Sequence, residues 1–272
     1  MNRSAFYASA RARASGIFGT SLTQSQVDGC EAVLNEAERR GTPLKHAAYI
    51  LATDYHETGG QMQPVKETVY ASSKDRNPSD DTVIRRLDVA WAAGRLGSVR
   101  TPYWRKDADG KSWFGRSLVQ ITHKANYQKL GLLIGVDLVK DPSKALELPI
   151  AVQILFVGME LGSFTGKALS DYITDGRADY VGARRIVNGR DKAAMIAGYA
   201  VAFERALVAA GYKSATKPVL PGAETITVPA VPAVDAPAAG TEPPAKIEHG
   251  PVPSGNWLSA LIAVLAKLLK GK

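Results

Sequence analysis

Cysteine is almost absent: Cys30 stands alone in 272 residues, so no internal disulfide and no cysteine-based metal site can form. The four histidines, His46, His56, His123 and His249, show no metal-ligand spacing, and satisfied structural histidines account for them. HETGG at 56–60 has glycine where a zinc-protease helix needs its second histidine. DADGKS at 107–112 has its glycine in the wrong place for a calcium loop. Gly-rich phosphate loops and nucleophile elbows are missing as well. No cofactor or metal is expected. Residues 1–19 lack the apolar run of a secretion signal, so synthesis and folding in a cytoplasm are expected. The most apolar internal stretch, IAVQILFVGMEL at 150–161, is too short to span a bilayer core of about 30 Å and reads as a buried helix.

Apolar content of 45% and charged content of 22% are those of an ordinary globular protein. The formal charge of +8 favours an anionic partner: nucleic acid, a bacterial envelope or an anionic membrane. Helices are predicted over 22–40, where Thr23 or Ser25 caps the start and Gly41 ends it, and after Pro43 as far as Glu57. A further amphipathic helix is predicted over about 193–210, before Gly211. The aromatic-flanked Asp109-Gly110 pair in YWRKDADGKSWFG (103–115) signals a small β-hairpin. From Lys213 the composition turns Pro/Ala-rich. The expected organisation is therefore a mainly helical domain at 1–212, a semi-rigid linker at 213–255 and a terminal element at 256–272.

The chemistry concentrates in DYHETGGQMQPVKET, 54–68. Glu57 closes a helix that Gly59 and Gly60 terminate. There the negative end of the helix dipole favours the protonated carboxyl, as a general acid requires. The turn through Gly-Gly and Pro64 lets Glu67 face it across a groove. Carboxyls about 6.5–9.5 Å apart imply inversion and about 5–5.5 Å a covalent intermediate. The alternative is a plain surface glutamate at a helix end, with Asp54, three residues earlier, as neighbour or competitor. Tyr103, Trp104, Trp113, Phe114 and Tyr127 offer rings that stack on sugars or pack the hairpin. Thr122, Gln120 and Asn126 offer hydroxyl and amide groups to a polar glycan, with helix capping as the alternative for Thr122.

HETGG (56–60), MQPVKET (62–68), YWRKDADGKSWFG (103–115), WFGRSLVQITHKANY (113–127) and RRIVNGR (184–190) together resemble glycoside hydrolase family 19. The similarity is to its compact phage endolysins, and it spans nearly all of 1–212. It implies an α+β, predominantly α-helical, lysozyme-like two-lobed fold around a glycan cleft. It assigns Glu57 as general acid, Glu67 as the base that activates water, and Thr122 as the hydroxyl that holds that water. Gln120, Asn126 and Asn188 match sugar-contacting positions; His56, Tyr70, Trp113, Tyr127 and Arg185 complete the candidate substrate contacts. Three departures stand out. The insertion that plant chitinases carry before the second glutamate is missing, Ser117 replaces the second glycine of the usual Gly-Arg-Gly, and Arg190 replaces the last glycine of the usual Asn-Gly-Gly.

On a helical wheel, Trp257, Leu258, Leu261, Ile262, Val264, Leu265, Leu268 and Leu269 form one arc opposite Ser259, Lys267 and Lys270. Such a helix suits an interface with anionic lipid or lipopolysaccharide, with docking on its own domain or on another copy as the alternative. The expectation is a monomeric endolysin acting on peptidoglycan strands without nucleic acid, released from a bacterial host's cytoplasm through a holin-type pore. The alternatives are a chitinase, and a membrane-active or glycan-binding protein without catalysis.

Overall fold

A computed structural model describes residues 1–70, 72–97 and 99–214. Seven α-helices appear among them: α1 (Arg3–Ala10), α2 (Gln24–Arg40), α3 (Leu44–Glu57), α4 (Asp80–Ala92), α5 (Lys124–Ile134), α6 (Leu148–Glu160) and α7 (Ala193–Ala209). One antiparallel pair of short strands, β1 (Ile173–Thr174) and β2 (Arg177–Ala178), adds the β component. None of these helices is long and apolar enough to cross a membrane. The linker beyond Ser214 and the element at 256–272 lie outside the described residues.

Local chemistry accounts for the first long helix. The Thr23 hydroxyl accepts from Gln26 N–H while the Gln26 side chain returns to the Thr23 N–H, a reciprocal cap, and Gly41 closes the helix at φ 65°. Cys30, Val33, Leu34 and Ala37 form its buried stripe. Helix α3 is buried on every side from Ala47 to Asp54, so it is the central helix of the domain. It packs chiefly against α7, which also carries α1, while α6 receives α2 and α5. Such all-round burial explains why its sequence shows little amphipathic contrast.

The main apolar core joins α1, α2, α3, α6 and α7. Two smaller clusters complete it. One centres on Trp113, Tyr127 and Leu130; the other joins Val83 and Leu87 of α4 to Trp104 and Phe114. This division is the counterpart of the expected two-lobed arrangement. Where the clusters meet, the Arg116 guanidinium lies 3.6 Å above the Phe114 ring. It also binds Asp80 at 2.8 Å, Ser112 O at 2.9 Å and Tyr127 Oη at 3.1 Å.

That knot corrects one expectation. Residues 103–115 turn tightly at Asp109-Gly110, with Gly110 at φ 72°, but no strands flank the turn; the hairpin lies instead at 173–178. The reason is competition for main-chain groups. The Asp107 carboxylate takes the N–H groups of Asp109 and Lys111, each at 3.0 Å. Arg116 and the Tyr127 hydroxyl take the carbonyls of Ser112 and Phe114 that a ladder needs.

Candidate active site

A cleft of about 200 Å³ opens where α3 ends. Glu57 lines it, together with Gln120, Ile121 and Thr122 from one segment, Asn126 and Leu130 from α5, Ser163 and Phe164 from the loop after α6, and Val187 and Asn188. Five sequence-derived candidates, Glu57, Gln120, Thr122, Asn126 and Asn188, are therefore brought to one wall system from separate stretches of chain. The cleft pairs an apolar floor with convergent amides and hydroxyls, the combination that fits a polar ligand with apolar faces.

The Glu57 side chain is only 5% exposed, and its Oε1 meets Arg184 Nη1 at 2.5 Å, itself buried. Sequence reasoning had the helix dipole and apolar burial to act on Glu57; the guanidinium supplies a field opposite in sign to the dipole's. Arg184 was missed, although it neighbours the candidate Arg185 in RRIVNGR. A segment of short 3₁₀ turn gives no periodicity by which to decide which of two consecutive arginines faces inward. Arg185 is half-buried, and its carbonyl accepts from the Thr165 hydroxyl at 2.6 Å.

Glu67 is 3% exposed and is not among the residues that line the cleft. Its Oε1 accepts from the Tyr103 hydroxyl at 2.8 Å and its Oε2 from the Gly115 N–H at 2.7 Å. Its own N–H returns to Gly115 O at 2.7 Å. Burial pushes this carboxyl above the ordinary glutamate range, against the opposing pull of the Gly115 and Tyr103 hydrogen bonds and of Arg116. Gly115, which bonds Glu67, also packs against the cleft-lining Gln120. A β-carbon there would lie 2.4 Å from Gln120 Oε1, so a larger residue would push the Gln120 side chain from its place. Gln120 donates to Val65 O at 2.9 Å, and its Oε1 is buried without a partner.

The other candidates fall elsewhere. Trp113 is buried, edge-on to Tyr127, with its indole N–H on Asp107. Tyr127 is fully buried, its hydroxyl donating to Phe114 O at 2.6 Å. Both rings serve the core and present no face to the cleft. Tyr70 is half-buried against the Val83–Trp104 cluster, and His56 is half-buried beside Glu57, its imidazole pushed down by burial. Thr122 caps nothing: His123, at φ 67°, starts α5 without a side-chain bond, and Thr122 O accepts from Asn126 Nδ2 at 2.8 Å. No group of three or more His, Cys, Asp or Glu among the described residues is arranged to hold a metal ion.

No family model matches the chain, and no curated protein matches it. Solved structures similar to it include one of a chitinase C mutant, with TM-score 0.40 and 15% identity over 80% of this chain and 95% of that one. Another is a bacterial family 19 chitinase, with TM-score 0.32 and 16% identity over 79% of this chain and 96% of that one.

Proposed function

We propose that the chain is a glycoside hydrolase of β-1,4-linked N-acetylhexosamine polymers, and that its substrate is the glycan strand of bacterial peptidoglycan during phage-type lysis. One observation carries the reading: the cleft gathers Glu57 with Gln120, Thr122, Asn126 and Asn188, while Glu67 is bonded to Gly115, which packs against the cleft-lining Gln120. In the proposed single displacement, water oxygen bonds to the anomeric carbon as the glycosidic C–O bond breaks. Glu67 receives the water proton, Thr122 orients that water, and Glu57 gives its proton to the departing oxygen, with inversion. The terminal segment Trp257–Lys272 is proposed to bind anionic lipid or lipopolysaccharide; no gain in helicity of that peptide on anionic liposomes would count against it. Release through a holin-type pore belongs to the same proposal.

The charge environment favours a second reading with the roles exchanged. Burial favours a proton on Glu67, and Arg184 stands against Glu57. Leaving-group dependence separates the two. A variant without its acid keeps its rate on aryl glycosides with good leaving groups, whereas one without its base loses it on every substrate. Glu57→Gln and Glu67→Gln are therefore assayed on sacculi, colloidal chitin and nitrophenyl glycosides. Either substitution should cost about 10²–10⁴-fold on the natural polymer. Full bacteriolysis by Glu57→Gln would overturn the enzymatic reading.

A further inference from the structure

The rim of the cleft carries charge that bond cleavage does not use. Glu57 is the one acid in the cleft wall among the described residues, and Arg184 already faces it at 2.5 Å. The rim beyond that pair is cationic. Lys129 precedes the wall residue Leu130, and its Nζ donates to the carbonyl of the wall residue Ser163 at 3.1 Å. That acceptor is neutral, so the ammonium charge stays uncompensated. Arg190 and Lys192 follow the wall residue Asn188 by two and four positions. At no more than about 3.6 Å per residue, their Cα atoms lie within about 7 and 14 Å of it. Both are exposed. No carboxylate lies within ion-pair distance of either among the described residues. Asp191 between them is half-buried and forms no ion pair among the described residues; its main-chain oxygen accepts from Arg184 Nε at 3.2 Å.

We propose that Arg190, supported by Lys192 and Lys129, is the specificity-determining residue of this cleft and selects glycan strands that carry carboxylates, as peptide-substituted strands do, over neutral N-acetylglucosamine polymers. The inference rests on the glycosidase reading above and sharpens its substrate. A neutral strand gains nothing from these cations, whereas each carboxylate passing the rim gains a screened attraction. Exposed pairs of this kind are weak, and the effect belongs in kcat/KM and in its salt dependence rather than in the chemical step.

The test uses the full chain on sacculi with free carboxylates and on the same sacculi with carboxylates blocked as methylamides. Arg190→Gly should lower the initial rate on free-carboxylate sacculi about two- to fivefold and leave the blocked substrate unaffected. Arg190→Lys should keep most of the rate, and the difference should vanish near 1 M salt, where the screening length is about 3 Å. An equal loss on both substrates, or no loss, overturns the inference and leaves the glycosidase reading standing. Should the wild type release reducing ends from neither substrate, the glycosidase reading falls, and retention on the two sacculi at low salt decides the rest. Weaker retention of Arg190→Gly on free-carboxylate sacculi alone supports carboxylate selection, and equal retention overturns it. The cationic tail is common to every variant and cancels.

Discussion

Replacing Asp54 by asparagine should remove one source of the loss of stability that comes with rising pH. Asp54 lies in α3, three residues before Glu57, and is fully buried. Neither of its carboxyl oxygens has a hydrogen-bond partner; the nearby Thr58 hydroxyl donates to the Asp54 main-chain oxygen, at 2.7 Å. Burial therefore pushes this carboxyl well above the usual range. The neighbouring Cys30 thiol is pushed up first by burial. In the unfolded chain Asp54 ionises near pH 3.9. Above that pH the native state holds a proton that the unfolded state has released. Stability then falls by about 1.4 kcal/mol per pH unit for as long as native Asp54 stays protonated, or about 2.7 kcal/mol over two units.

Other groups overlap this window, and their signs differ. Glu67 and Glu160 are also raised, first by burial, and add to the fall. Glu36 and Asp80, where the desolvation cost is outweighed by Arg39 and Arg40 and by Lys66 and Arg116, are held low and have finished contributing once the pH passes the unfolded value. His56 and His123, lowered by burial, oppose the fall near pH 6.5. The difference between wild type and Asp54→Asn removes all of these. The variant should begin less stable at pH 5, since a buried amide with unmet hydrogen bonds costs about 1–3 kcal/mol. It should gain on the wild type steadily towards pH 8. Urea melts at half-unit steps read the difference directly; thermal midpoints should converge by about 3–5 °C per pH unit. Parallel curves would refute the assignment of a neutral buried acid at position 54.

Two further substitutions probe the walls of the cleft. Ser117 is fully buried at φ 95° with an unpartnered hydroxyl, so Ser117→Gly should raise stability by about 1 kcal/mol, against the usual sign for that exchange; a lower urea midpoint would refute this. At Gly158 a β-carbon would lie 2.0 Å from Phe164 Cζ. Gly158→Ala should thus leave the helix folded but drive that cleft-lining ring aside, cutting glycan hydrolysis about tenfold. Adding Phe164→Leu should restore the rate, and a Gly158→Ala variant with wild-type kinetics would refute the steric account.

Legibility followed the locality of the signal. Helices α2 and α3 were readable because Thr23, Gly41 and Pro43 act within one turn of themselves. Helix α4 carries an equally local mark, Ser79 as cap with Asp80 and Asp81 in its first turn. Helix α5 carries none, since His123 caps it with no side chain. The hairpin at 103–115 failed for a non-local reason: Arg116 and Tyr127 consume the carbonyls a ladder would use. At the site, the short motifs located Glu57, Gln120, Thr122 and Asn188, which share the cleft. For the aromatic pair Trp113 and Tyr127, which lies in the core, the sequence left two readings open because stacking on sugar and packing draw on the same residue type. Ser163 and Phe164 were invisible, since their loop has no motif and enters the cleft only by tertiary packing.

Where the backbone is strained, it is strained at this site. Met62, Thr68, Ser117, His123 and Lys192 are the non-glycine residues with positive φ among those described. Met62 and Thr68 fall in the stretch that leads from Glu57 past Glu67, Ser117 and His123 bracket Gln120 and Thr122, and Lys192 ends the loop begun by Asn188. Each such residue costs about 1–2 kcal/mol, so five in three short segments would not persist without restraint. The restraints are specific. Met62 N–H is held by the Thr58 hydroxyl at 2.9 Å, and Ser117 O receives Val65 N–H at 3.2 Å and Gln120 Nε2 at 3.4 Å. His123 N–H is tied to Trp113 O at 3.0 Å, and Lys192 O receives Ile196 N–H at 3.0 Å. Bends that the main chain would avoid are thus fixed by bonds formed during folding, so the amides of the cleft and the Glu57 carboxyl are oriented before any ligand enters. An ordering cost met at that stage is absent from the barrier, which is the physical advantage of building the site on strained, tethered turns.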